Sequence, residues 1–258
     1  MSLYFKYFNV HLKRQMEYKA SFIMSFISNL IVFFSYYFSI LCLFDKFNNI
    51  KGFTVYEVLL TFGIAQFGFA FCEIFFRGLD QFDDMMVAGD FDRILLRPRG
   101  VLFQLLCEDT SLVRIARLLQ NVIIIVIAVI KIDVNWDISK VLVLIFMIIS
   151  SIILCLSIFI FAAAYCFITI KGLEFRNLIL YSSKEVVQYP IGVFGKGLIV
   201  IFTYIVPFAF VNYYPLLYIL GKTKNNLLIF SPFITFIYLL FSIILFYKLL
   251  GRYKSTGS

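Results

Sequence analysis

Six apolar stretches govern what this chain can become: Ser21–Phe44, Thr54–Phe76, Ser111–Ile130, Ile138–Ile170, Lys196–Val211 and Pro232–Leu250. Each meets or approaches the roughly 20 residues that a helix rising about 1.5 Å per residue needs to cross about 30 Å of hydrocarbon. In lipid every backbone polar group must find a partner within the protein, so such stretches fold as helices. The expected fold class is therefore all-α, a polytopic membrane protein with six transmembrane helices. Composition agrees, since 62% of the 258 residues are hydrophobic, against roughly 45–50% in soluble domains. That leaves no length for a sizeable soluble domain. The fourth stretch, 33 residues long, exceeds the bilayer and is expected to tilt or to run on past the membrane face. The fifth is interrupted by Pro190, Gly192, Gly195, Gly197 and Pro207. Such breaks survive at membrane depth only where neighbouring helices or water take up the freed backbone groups.

Lysine and arginine positions set the orientation. With the N-terminus inside, the cytoplasmic segments hold sixteen of them and the outer segments six, with Lys196 at a span edge. Over short loops that asymmetry places both termini in the cytoplasm. The formal net charge of +8 thus belongs to topology, because its residues flank the spans instead of forming the clustered basic face that nucleic acid requires. The start of the chain lacks a small-residue cleavage pattern, so the first span is expected to be retained. The N-terminal stretch 1–20 mixes Leu3, Phe5, Tyr7, Phe8 and Val10 with Lys6, Lys13, Arg14 and Lys19. It reads either as an amphipathic helix on the inner leaflet or as a basic flank that enforces orientation.

Five scattered cysteines and a single histidine, His11, give no metal-ligand spacing and require no disulfide. Charges inside the spans are few, as their cost demands. Glu57 lies near the outer end of the second span, and Glu73 near its inner end can reach Arg77 as a helical i,i+4 pair. The deepest polar groups are Gln66, Gln120 and Asn121. They read as interhelical hydrogen bonding, with a candidate substrate path as the second reading.

The stretch 78–100, GLDQFDDMMVAGDFDRILLRPRG, is polar and acidic between two spans, on the cytoplasmic side. Leu79, Phe82 and Met86 fall on one face of a short helix, with Asp80, Asp83 and Asp84 on another. Gly89 is placed to end that helix as a left-handed cap. Asp90 is placed to cap a second helix over Phe91–Leu96, which Pro98 stops. An interfacial helix on the headgroups would be basic on its polar face. This one is acidic, which favours docking to a soluble partner.

At this point the chain resembles a known family, the membrane permeases of type-2 ATP-binding-cassette exporters, in the compact six-span subgroup. The resemblance rests on three motifs in order. GDFDRILLRP at Gly89–Pro98 contains Gly89, Asp90, Leu95, Leu96, Arg97 and Pro98; YPIGVFGKGL at Tyr189–Leu198 contains Tyr189 and Pro190; IVPFAFVNYYPLLYILG at Ile205–Gly221 contains Pro207, Asn212, Tyr213, Tyr214 and Pro215. The first alone is weak, and together they span essentially the whole chain. One departure is Gly195-Lys196-Gly197, where family members often have a bulky aromatic. A lysine there can snorkel to the inner headgroups.

The resemblance implies a permease subunit that pairs with a second, identical or sister permease and with two copies of a separate ATPase. It implies that Leu79–Met86 is a coupling helix: Leu79, Phe82 and Met86 would fill a groove on the ATPase, while Asp80, Asp83 and Asp84 would meet basic residues there. It also implies short helices dipping into the outer leaflet over 208–231, and ATP-driven export of a hydrophobic or amphipathic substrate across a bacterial plasma membrane. ATP and Mg would be bound by the partner. In agreement, no G-x-x-x-x-G-K-[ST] phosphate loop occurs in the sequence, nor do the common hydrolase signatures. The alternative is a secondary transporter or channel that needs no ATPase, although such carriers usually place acids or paired broken helices at the midplane.

Overall fold

The structure is a computed structural model that describes residues 3–47, 49–169, 186, 189, 191–223 and 226–253. Pro190, the basic residues Lys171–Lys184, Lys224 and the polar tail Lys254–Ser258 lie outside the described residues. Helix α1 (Leu3–Glu17) precedes α2 (Lys19–Lys46) and α3 (Val55–Phe75). Four short helices follow: α4 (Arg77–Asp80), α5 (Phe82–Ala88), α6 (Phe91–Leu95) and α7 (Val101–Glu108). Then come α8 (Ile115–Lys131), entered through a tight turn at Leu112–Arg114, and α9 (Ile138–Cys166). Helix α10 (Lys196–Val200), α11 (Tyr214–Ile219) and α12 (Ile234–Leu250) complete the order. Among the described residues five helices are long and apolar enough to cross a membrane, and six if the bent pair Lys196–Ile205 and Ala209–Ile219 counts as one span.

Helix α3 is the axis of the bundle, with 83% of its apolar window buried. Lipid tails are as apolar as leucine, so close packing rather than water exclusion must hold such helices together. The glycines of α3 provide it. A Cβ at Gly63 would stand 2.7 Å from the Ile125 side chain of α8, and one at Gly68 would stand 2.3 Å from the Ser151 hydroxyl of α9. That hydroxyl donates to the Ile64 carbonyl at 2.9 Å. At the end of α3 that the charges place outside, Thr54 and Glu57 form a reciprocal capping box. Lys222 completes it, 2.9 Å from the Glu57 carboxylate and 2.8 Å from the Gly52 carbonyl.

Three span expectations change in detail. The fourth helix has 29 residues and ends at Cys166, not Ile170. At about 1.5 Å per residue it still outreaches the hydrocarbon. The fifth stretch is not one straight helix: its two arms meet at 96°, where Pro207 can donate no backbone hydrogen bond. The carbonyls freed around the bend are taken up from neighbouring elements, Ile205 by the Tyr238 hydroxyl at 3.2 Å and Phe210 by the Ser231 hydroxyl at 2.9 Å. Finally, Tyr189 and Phe194 share a groove with Leu43, Phe47, Ile50 and Lys51, at the outer end of the first span. Gly192 is so close beneath the Tyr213 ring that a Cβ there would come within 2.6 Å of its hydroxyl. The approach to Lys196 thus lies at the end that the charges place outside, opposite to the inner headgroups expected for that lysine.

Candidate partner-docking site

The segment 78–100 forms as two short pieces before its glycine, not one. The chain breaks at Phe76, so Glu73 and Arg77 no longer share an unbroken helix. Glu73, almost fully buried, receives Arg114 of the next span at 3.0 Å and is bonded by Arg117. Arg77 turns to Asp109 at 3.2 Å. Its guanidinium is pushed below the usual arginine range by burial and then by Arg114, against the opposing pull of Asp109, Asp80 and Glu73. After a break at Gln81, α5 runs to Gly89, whose φ of 75° makes it a left-handed cap. The Gly89 amide donates to the Met86 carbonyl and the Asp90 amide to the Met85 carbonyl, which together close the helix end. Asp90 makes no side-chain cap, contrary to expectation, because its own backbone is already helical.

The apolar stripe of this segment exists as the sequence implies, but it faces inward. Leu79, Phe82 and Met86 are each at most 2% exposed. Phe82 packs edge-on against Phe91 at 5.0 Å and Phe167 at 5.3 Å. Phe91 in turn meets Tyr253 beyond the last span. These side chains are therefore unavailable to fill a partner's groove. Their physical role is to bolt the segment onto the inner end of the bundle. Asp83 is buried beside them, and Asp80 lies 3.9 Å from Arg114.

What faces out is a different set. Leu96 is 87% and Val87 55% exposed, accompanied by Asp84, Ala88, Asp90, Arg93, Leu95 and Pro98. Arg93 and Arg97 reach Glu108 of α7 at 3.7 and 3.5 Å. Gln104 of α7 donates to the Ile94 and Arg99 carbonyls, satisfying the end of α6. The Tyr253 hydroxyl donates to Asp92 at 3.0 Å. The outer surface is thus held by α7 and the C-terminal segment. Neither was legible beforehand, because Tyr253 and Asp92 are 161 residues apart.

Helix α1 closes the other side. Arg14 reaches Asp109 at 2.7 Å, and His11 lies 3.6 Å from the same carboxylate. Gln15 accepts from the Leu112 amide at 2.9 Å, and the Tyr4 hydroxyl donates to the Phe75 carbonyl. Burial, with Cys107 nearby, pushes the Tyr4 hydroxyl up to about 12. Burial, with Glu108 beside it, pushes the Cys107 thiol up to about 11. Arg14, Gln81, Asp84, Asp90, Arg93 and Asp109 are among the residues lining a cleft of about 420 Å³ between α1, the glycine elbow and α7.

The residues read as a candidate substrate path do not share one cavity. Gln66 is buried on α3, and Asn121 is wholly buried on α8 with both amide atoms lacking a hydrogen-bond partner. Gln120 donates to the Leu30 carbonyl and lines a groove of about 270 Å³ with Phe33, Tyr37 and Ile123. In the third motif Pro207 marks the bend, Pro215 opens α11, and the rings of Tyr213 and Tyr214 meet at a tilt, 5.5 Å apart. Asn212 is buried there with its amide likewise unpartnered. Among the described residues no group of three or more histidine, cysteine or acidic side chains could hold a metal.

Residues 30–257 match the model of a family described as ABC-2 family transporter protein. Comparison with curated proteins and with solved structures gives no match.

Proposed function

This chain belongs to the ABC-2 transporter family and is a multi-pass membrane permease subunit of that kind, and we propose that a separate ABC ATPase, which the family implies, works with it and acts on the segment 78–100. Two permeases, identical or sister, pair with two ATPases that bind the ATP and Mg. The complex exports a hydrophobic or amphipathic substrate across a bacterial plasma membrane. Closure of the ATPases pushes on the cytoplasmic segment, and the push reaches the spans through the inner aromatic cluster.

One observation supports this reading above the others: the segment is bolted inward by Phe82 and Phe91 yet leaves Val87 and Leu96 exposed. An element fixed to the spans on one side and presenting bare apolar side chains on the other suits the transmission of force from a partner. It also moves the docking contact from Leu79, Phe82 and Met86 to Val87, Ala88 and Leu96, with Asp84 beside them. The test is co-purification from native membranes in mild detergent. A Val87→Asp, Leu96→Asp double variant should lose the ATPase while keeping its chromatographic profile. Phe82→Asp should instead unfold the segment, since it buries an unpaired charge. Retention of the ATPase by a folded Val87/Leu96 variant would sink the assignment. If no ATPase accompanies even the wild type after crosslinking, a self-sufficient transporter becomes the better reading.

A further inference from the structure

The cleft beside the docking surface has one wall that lies outside the family match. Helix α1 ends at Glu17, before the matched residues 30–257 begin, and is joined to α2 through Tyr18, which provides no side-chain cap. Its Arg14 lines the cleft and holds Asp109 across it. Asp109 is served by two cations, Arg14 and Arg77, with His11 3.6 Å from the same carboxylate. The carboxylates of Asp84 and Asp90, on the opposite rim, are exposed and meet no cation or side-chain hydrogen bond among the described residues. One carboxylate of the cleft therefore has two arginines while two have none, since Arg93, which also lines it, turns to Glu108 at 3.7 Å.

Resting on the ATPase reading above, we propose that the cleft receives a lysine or arginine side chain of the ATPase, and that Arg14 holds its place in the undocked permease. Docking and release of the Arg14 side chain from Asp109 are then one exchange at the wall that α1 forms. The Arg14 side chain is 62% exposed, so its ion pair is of the weak surface class, equivalent to about two- to five-fold in an equilibrium. Arg77, more deeply set at 22% exposure, keeps Asp109 neutralised when Arg14 leaves. The incoming cation meets Asp84 and Asp90 and replaces Arg14 at Asp109. The adjoining apolar contact at Val87 and Leu96 fixes the partner's position. Rim charges of this kind act on encounter and salt dependence more than on the final apolar contact.

The experiment measures binding of the separately purified ATPase to the detergent-solubilised permease at low and high salt. An Asp84→Asn, Asp90→Asn double variant should bind about five-fold more weakly than wild type at low salt and lose most of the salt dependence. Arg14→Ala should bind about two- to five-fold more tightly, because it removes the competitor in cis. Both changes are isosteric or truncating at exposed positions, and an unchanged chromatographic profile verifies the fold. A double variant that binds as wild type, with the same salt dependence, overturns the cleft assignment while leaving the ATPase reading intact. Weaker or equal binding by Arg14→Ala overturns the exchange and makes α1 a fixed brace. Failure of the ATPase to bind wild type at all removes the earlier reading, and this one with it.

Discussion

At the residue scale, Glu73 decides how the second span joins the cytoplasmic segment. Its side chain is only 5% exposed and carries two arginines from the third span. A buried ion pair is weak evidence for stability, but removing one partner leaves the other charge uncompensated. Glu73→Gln would take the shared carboxylate away from Arg114 and Arg117, with Asp80 3.9 Å from Arg114 as a more distant partner. The expected loss is about 3 kcal/mol, read as a lowered thermal midpoint in detergent. An unchanged midpoint would mean that the arginines are stabilised elsewhere. The sequence offered Arg77 as the partner because it counted along one helix. The break at Phe76 could not be counted.

At the scale of elements, the packing of α3 against α9 depends on Gly68. A Cβ there would meet not only the Ser151 hydroxyl but also its backbone carbon and oxygen, both at 2.8 Å. Backbone cannot move aside as a flexible side chain can, so the helices must separate. Gly68→Ala should therefore cost about 1–3 kcal/mol. Gly100→Ala, where nothing lies within 4 Å, should stay within about 0.5 kcal/mol of wild type. Equal midpoints for the two variants would show that the close approach is not real. The short helices teach the same lesson at their caps. Gly89 was legible as a left-handed end because the signal lies within one helical turn. The spacing of Leu79, Phe82 and Met86 was legible as one face. What that face meets was not, since Phe167 arrives after two further spans and Tyr253 from beyond the last one.

At the scale of the molecule, the charge asymmetry puts the glycine elbow inside and the turn between α8 and α9 outside. In a background with Cys42 replaced by Ser, a membrane-impermeant maleimide added to intact cells should label Asp133→Cys. It should label Ala88→Cys only after permeabilisation, as both positions are exposed in the folded chain. The reverse pattern would invert the topology and remove the ATPase from reach of the docking surface. The bent pair makes this test valuable, because 96° between its arms makes the count of crossings depend on how that pair is placed.

The sequence by itself determined the all-helical class, the positions of the unbroken spans, the expected orientation and the glycine elbow. Lipid leaves the backbone no partner but its own chain, so length and apolarity alone dictate helix, and a left-handed cap needs only a glycine. Only the tertiary structure decided that Leu79, Phe82 and Met86 point inward, that Asp109 gathers Arg14 and Arg77, and that the fifth stretch bends by 96°. Those outcomes depend on contacts between residues far apart in the chain, such as Arg14 and Asp109, 95 positions away. Periodicity fixes which side chains share a face. Which surface that face meets is settled only when the elements pack.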